Sequence, residues 1–160
     1  MRPILMVCLA ALLLSGCSGH KQTFVTKQGT TTVESNNNNQ TVTVNSKQGT
    51  ATYGKGAVDP AKLGIPVYPG ATTTEGGMSG TTAQGSGEIV ALSTTDSFDK
   101  VYAWYEAHLP AGSQTMHMAN GASSVAAFRI GKETDKEARS VMISAQKDKT
   151  SILLSHSVKH

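Results

Sequence analysis

Hydrophobic residues follow three patterns along the chain, and each pattern predicts a different kind of segment. Residues 4–14 form one unbroken apolar run. Residues 23–56 contain short runs in which Thr alternates with Val, and this period of two is typical of half-buried strands. From residue 57 onward, strand-like alternation lies on both sides of one helical stripe. The chain is therefore predicted to consist of a leader, a small Thr-rich region and one larger domain.

The helix of the larger domain, residues 57–160, is indicated by apolar residues at i, i+3, i+4, i+7 and i+11. These residues are Phe98, Val101, Tyr102, Tyr105 and Leu109. Asp96 is predicted to be the N-cap, because its carboxylate can accept a hydrogen bond from a free N–H of the first turn. Pro110 and Gly112 are predicted to end the helix.

Strands are predicted on both sides of this helix, with a Gly/Ser/Thr-rich loop over residues 76–87. Their predicted ranges are 71–75, 88–93, 123–130, 139–147 and 151–158. The order β-β-α-β-β-β predicts an α+β fold in which a single amphipathic helix covers one face of a mainly antiparallel sheet. About a hundred residues can bury enough surface for such a core without disulfides.

Residues 23–56 are open to two interpretations. Lys-Gln-Gly-Thr occurs at 27–30 and again at 47–50, and the four Asn at 36–39 favour a turn. The region then forms a meander of three or four strands. Its few apolar side chains would bury little surface, so the meander would have to pack against the later domain. The alternative is a flexible Thr/Asn-rich spacer between the domain and a membrane.

The leader is too short to span a bilayer. Eleven apolar residues extend about 16 Å as a helix, whereas the hydrocarbon core is about 30 Å thick. With Arg2 before it, the run is typical of a secretory signal peptide. Leu14, Ser15, Gly16 and Cys17 follow, and this order resembles the lipobox of bacterial lipoprotein precursors.

The resemblance implies that residues 1–16 are a signal peptide whose peptidase recognises Leu14, Ser15 and Gly16. Cys17 would carry the lipid, and residues 17–22 would be the tether. Cys8 lies in the leader, so Cys17 would be the one cysteine left. In the family pattern an Asp after the cysteine retains the protein in the inner membrane; Ser18 stands there, which implies the outer membrane. The alternative is an ordinary secretory signal with Cys17 as a free thiol.

A second resemblance covers residues 63–71, which read Leu-Gly-Ile-Pro-Val-Tyr-Pro-Gly-Ala, and the pair Trp104 and Tyr105. Together they resemble a group of uncharacterised bacterial envelope proteins with a proline-rich segment before the first strand. This resemblance implies a compartment and a fold, and it carries no activity.

The sequence does not predict an enzyme. It contains no Gly-x-Ser-x-Gly nucleophile motif, and the Gly-rich stretch at 76–80 lacks the Lys-Ser/Thr of a phosphate loop. A net charge of +3 with 16% charged residues is too small for a nucleic-acid-binding protein that uses a basic patch.

Two candidate sites are predicted. Met116, His117 and Met118 offer thioether and imidazole ligands, which suit Cu(I). In an extended strand, however, the two Met share a face and His117 points away, and Met side chains also fill gaps at strand edges. Trp104 and His108, four apart on the helix, form a candidate contact patch, unless the Thr-rich region covers it.

The predicted function is that of a lipid-anchored bacterial envelope protein, a non-enzymatic binding or assembly module on the periplasmic side of the outer membrane. Its expected partners are the membrane, through the acyl chains, and an envelope protein. The alternative is a periplasmic lipoprotein that binds a small ligand or copper. No nucleic-acid partner and no cofactor other than copper is expected.

Overall fold

The computed structural model describes residues 20–160 apart from Gln28, 37–38, 121–122 and Glu133. These residues form ten strands, one α-helix and a short 3-10 helix, Pro60–Leu63. The strands are β1 His20–Thr26, β2 Gly29–Asn36, β3 Asn39–Ser46, β4 Gly49–Lys55, β5 Thr72–Thr82, β6 Gly85–Thr94, β7 Gln114–Met118, β8 Val125–Ile130, β9 Glu137–Gln146 and β10 Lys149–Lys159. The helix, α1, is Phe98–His108 and lies between β6 and β7 in the chain.

All ten strands belong to one antiparallel sheet with the order β1-β2-β3-β4-β5-β6-β10-β9-β8-β7. The described chain is therefore mostly β, and the predicted α+β fold with the order β-β-α-β-β-β is wrong. Two features overturn it. The Thr-rich strands join the same sheet through pairing of β4 with β5, and the helix is followed by four strands rather than three.

The loop predicted over residues 76–87 is also wrong. Most of this segment lies in β5 and β6, which turn tightly between Thr82 and Gly85. Its glycines fit a strand because other groups pack closely against them. A side chain at Gly77 would come within 2.9 Å of Val58 Cβ, so the missing side chain makes room for that buried residue.

The hydrophobic core lies on the face of the sheet that α1 covers, here called the helix face. Phe98, Val101 and Tyr105 are the buried residues of α1. They belong to one cluster with apolar residues of the four adjacent strands β6, β10, β9 and β8: Val90, Leu92, Ala126, Phe128, Val141, Ile143, Ile152 and Leu154. The segment between β4 and β5 adds Leu63, Ile65 and Tyr68 to this cluster. The helix and this segment together form a second layer over the sheet.

The start of α1 is linked to this segment by a hydrogen bond. Ser97, not the predicted Asp96, is the N-cap. Asp96 accepts hydrogen bonds from Tyr68 Oη at 2.7 Å and Lys100 Nζ at 2.9 Å, and these bonds lower its pKa. Burial, together with this bond, raises the pKa of Tyr68 to about 12. Asp96 therefore connects the two parts of the second layer, α1 and the segment between β4 and β5, instead of capping the helix.

The four Thr-rich strands β1–β4, here called the ribbon, form a single layer that extends the sheet. Both of its faces are exposed: Phe24 on one face retains 54% of its accessible surface, and Val25 on the other retains 79%. On the helix face the ribbon is polar, with hydrogen-bonded Thr pairs such as Thr43 and Thr52, whose hydroxyls are 3.1 Å apart. Of the two interpretations of residues 23–56, the strands are present.

Three hairpin turns at one end of the sheet share the same construction. Thr26, Ser46 and Thr82 each donate a side-chain hydrogen bond to the carbonyl oxygen of the glycine three residues later, over 3.0–3.3 Å. The first two turns contain the Lys-Gln-Gly-Thr repeats. The third, Thr82 to Gly85, has Ala in place of Lys, so the sequence repeat alone did not reveal it.

Candidate binding surface

The face of the sheet opposite α1, here called the open face, carries a continuous row of apolar side chains. Strand register aligns one residue from each of β2 to β6: Val33, Val42, Tyr53, Met78 and Ile89. Phe24 of β1 and Val44 of β3 share this face, two residues along their strands from the row. Tyr53 and Met78 retain 45% and 41% of their accessible surface.

A second apolar row continues the first across the other half of the sheet. It consists of Leu153, Met142, Ala127 and Met116, aligned across β10, β9, β8 and β7. Ser155 pairs with Ile89, which makes Leu153 a diagonal neighbour of Ile89 at a distance that long side chains bridge. The two rows therefore form one apolar band over nine of the ten strands.

Charge differs between the two faces. By strand register, the open face carries four cationic residues, Lys55, Arg129, Lys149 and Lys159, and none of the strand carboxylates that the structure describes. Those carboxylates, Glu34, Glu88 and Glu137, lie on the helix face. Among the strand residues whose side chains the structure describes, the open face therefore combines an apolar band with cationic side chains.

A groove of about 560 Å³ opens on this face near the centre of the sheet. Its floor is the cross-strand pair Gly80 and Gly87, with Ala51 on one side and Ser157 on the other. Tyr53, Met78 and Ile89 form its apolar wall, and Lys159 and Gln84 stand at its end. This volume lies within the range of small-molecule sites.

The structure separates the three residues of the predicted copper site. His117 lies on the helix face, where its ring stacks on Tyr102 with 4.0 Å between ring centroids. Met116 and Met118 lie on the open face, opposite Ala127 and Val125. Within the described part of the chain there is no group of three or more His, Cys, Asp or Glu suited to a metal ion. The copper site remains a prediction that rests on sequence.

Trp104 and His108 are brought together as the helical spacing predicted. Their rings stack at 4.2 Å, and Nδ1 of His108 lies 2.7 Å from the carbonyl oxygen of Trp104. Trp104 is half-buried, since its ring also meets the edges of Tyr68 and Tyr105. The ribbon extends the sheet sideways, and Trp104 packs mainly against the second layer.

His156 belongs to a charged cluster that the sequence did not indicate. Its Nε2 lies 2.8 Å from Oε1 of Glu137, and its Nδ1 lies 3.7 Å from Oε2 of Glu88. Arg139 pairs with the same oxygen of Glu137. The partners of His156 come from β6 and β9 and become its neighbours only through strand register.

The predicted lipidation site lies outside the described residues, as do the signal-peptidase positions: Leu14, Ser15, Gly16 and Cys17. In the part of the chain that is described, no helix is long and apolar enough to cross a membrane.

No protein family, curated protein or solved structure matches this chain. Sequence patterns did not predict the open face as a site, because the apolar residues of this face lie on different strands and never form a run. The one local signal was the alternation of Val with Thr in residues 41–44, which places Val42 and Val44 on one face.

Proposed function

We propose that this protein is a lipid-anchored module of the bacterial envelope that acts by binding, and that its open face lies on an anionic membrane surface. One observation carries this proposal: the apolar band is exposed, surrounded by positive charge and free of described strand carboxylates. Exposed apolar area of this extent is characteristic of a surface that binds a partner.

The charge of the open face favours a membrane over a second copy of the chain. Two copies packed through this face would oppose two surfaces that each carry the cations Lys55, Arg129, Lys149 and Lys159, and like charges repel. An anionic lipid surface attracts these groups, since a basic residue near such a surface contributes about 1 kcal/mol. The exposed side chains of Tyr53 and Met78 would enter the interfacial region.

The predicted lipid anchor supports the same orientation. Cys17 is three residues from His20, where β1 begins, and three extended residues span about 10 Å at most. A chain anchored at Cys17 would therefore hold the ribbon next to the bilayer. With Ser18 after the cysteine, we place the protein in the outer membrane, facing the periplasm.

Labelling with radioactive palmitate tests the anchor in the bacterium. We expect label on the wild-type chain and none on Cys17→Ala. An unlabelled wild-type chain would overturn the anchor and the localisation that follows from it.

Vesicle binding tests the open face. The chain from residue 17 onward with Cys17→Ser contains every described residue and has no lipid of its own. We expect it to sediment with vesicles that contain phosphatidylglycerol, and less with vesicles of phosphatidylcholine alone. The double variant Tyr53→Asp and Met78→Asp should bind at least about tenfold more weakly, a loss of about 1.4 kcal/mol.

The matched control is Thr50→Asp with Thr81→Asp. These exposed residues pair across the same two strands but lie on the helix face, so binding should persist. Equal losses in both double variants, or a wild-type chain that ignores anionic vesicles, would refute the membrane-facing orientation.

A further inference from the structure

The groove on the open face depends on two glycines that the backbone does not require. Gly80 and Gly87 have no positive φ angle. A Cβ on Gly80 would meet only the carbonyl oxygen of Thr50, at 3.8 Å, and one on Gly87 only that of His156, at 4.0 Å. At Gly85, by contrast, φ is +154° and a Cβ would lie 2.2 Å from a backbone oxygen. Gly80 and Gly87 therefore leave open space that larger residues could fill.

This open space costs stability. Glycine inside a strand is less stable than alanine by about 0.5–1 kcal/mol, because it loses more freedom on folding. Two of them directly opposite each other beside the apolar band are best explained by the close approach of another molecule to the backbone.

The chemistry of the groove selects an amphiphile. Tyr53, Met78 and Ile89 offer apolar contact along one side. Glu88 and His156 also border the groove, but their side chains contact each other on the helix face and bring no carboxylate to it. The cation at the groove end is Lys159.

Backbone hydrogen bonds fix the position of the main chain that carries this cation. The N–H of Lys159 donates to the carbonyl oxygen of Lys136 at 2.7 Å, and the N–H of His160 donates to that of Gln84 at 3.1 Å. The end of β10 is therefore held on both sides, by Lys136 just before β9 and by Gln84 in the turn between β5 and β6.

We propose that this groove binds the hydrocarbon chain of a long-chain fatty carboxylate, which lies over Gly80 and Gly87 with its carboxylate beside Lys159. This inference rests on the proposed function, because it names a ligand for the same open face.

Titration with cis-parinaric acid, a fluorescent fatty carboxylate, tests the groove on the Cys17→Ser chain from residue 17. We expect a saturable rise in emission at one probe per chain. Gly80→Leu fills the groove and should weaken binding at least about tenfold. Ser157→Leu, which fills it from β10 without changing a glycine, should act in the same direction.

Thr81→Leu is the matched control, because it places the same leucine side chain on the next residue of β5, on the helix face. It should leave probe binding unchanged, and circular dichroism should show the same fold in all variants. A wild-type chain without saturable binding, or equal binding by the Ser157→Leu and Thr81→Leu chains, would overturn the groove.

The head group has its own test. Lys159→Gln should weaken binding of the carboxylate by roughly three- to fivefold, as an exposed ion pair contributes at most about 1 kcal/mol. Binding of the methyl ester of the same probe should not change. Equal effects on acid and ester would overturn the role of Lys159.

The vesicle experiment separates this inference from the proposed function. Gly80→Leu leaves both apolar rows in place, so that chain should still bind anionic vesicles. Probe binding without vesicle binding would refute the membrane orientation and keep the groove. Vesicle binding without probe binding would refute fatty-carboxylate binding in the groove and keep the membrane orientation.

Discussion

The two halves of the sheet follow the same pairing rules but differ in what covers them. In the half formed by β6, β10, β9 and β8, aliphatic residues on the helix face are buried under α1 and the segment before β5. In the ribbon, Thr residues occupy most of that face, and no second layer of described residues lies over Val25. Hydrogen bonding is thus shared by both halves, whereas burial of apolar surface is concentrated in one.

This difference indicates how the molecule is divided between stability and binding. Apolar residues on the helix face stabilise the fold, because the second layer removes them from water. No second layer of described residues covers the apolar residues on the open face, so they add less to stability and remain available for a ligand. Substitutions on the two faces should therefore have separable effects.

The largest expected effect is a loss of stability in the covered half. Ile143 is fully buried, and Ile143→Ala should lower the free energy of unfolding by about 2–5 kcal/mol. Val44 of the ribbon is exposed on the open face, so Val44→Ala should cost less than about 1 kcal/mol. Urea unfolding of both variants measures the contrast. Similar losses would mean that the ribbon has a covering layer of its own.

The next effect concerns the joint between the two halves, which is the pairing of β4 with β5. Gly76 has φ +89°, and a Cβ there would lie 2.6 Å from the backbone of Gly54 in β4. Gly76→Ala should therefore cost about 2 kcal/mol or more, from left-handed strain and from the clash. Gly80→Ala, on the same strand with open space above it, should be neutral or stabilising by up to about 1 kcal/mol. Thermal unfolding distinguishes them, and equal shifts would contradict the strained geometry of the joint.

Local periodicity predicted the covered half better than its connection to the ribbon. The stripe from Phe98 to Leu109 and the alternation of Val141 with Ile143 are local signals, because one face of each element is buried. The pairing of β4 with β5 joins residues far apart in sequence, and no local pattern encodes it. The same limit hid the open face, whose rows take one residue from each strand.

Glycine-rich composition misled the prediction in a different way. Residues 76–87 were predicted to be a loop since glycine favours turns. In the sheet, this segment pairs with strands on both sides. Its glycines make room for Val58, allow the positive φ angle at Gly76, and leave the groove open. Each of these roles depends on contacts with residues distant in sequence, so composition alone could not distinguish this glycine-rich strand pair from a loop.

A smaller effect is expected where the second layer is joined together. Tyr68→Phe removes the hydrogen bond to Asp96 and should cost about 1–2 kcal/mol at pH 7. Because the pKa of Asp96 is lowered in the fold, its contribution is present above its ordinary pKa and is lost as the pH falls through the folded value. The two chains should therefore converge in acid.

At alkaline pH, the stabilisation contributed by Tyr68 is lost as the pH rises, opposite to the dependence of Asp96 in acid. The pKa of Tyr68 is raised from 10.0 to about 12, so its contribution is complete below pH 10 and is lost as the pH rises towards 12. Urea unfolding from pH 3 to pH 11 measures both limbs. A difference between wild type and Tyr68→Phe that stays constant in acid would contradict the role of ionised Asp96.

The smallest effect on stability is expected from the polar face of the ribbon, and it sharpens the comparison most. The double variant Thr43→Val and Thr52→Val replaces one hydroxyl pair with β-branched residues of equal strand propensity, so unfolding should change by less than about 1 kcal/mol. The helix face of the ribbon would then carry an apolar pair only one register step away from open-face residues such as Val33, so a one-residue slip in strand register would be penalised less by exposure of the wrong side chains. We therefore expect stronger self-association, measured by sedimentation velocity at matched concentrations.

Thr94→Val, in the covered half, is the comparison variant and should not promote self-association. If the ribbon variant stays as monodisperse as wild type, the Thr pairs do not serve to keep one face of the ribbon polar.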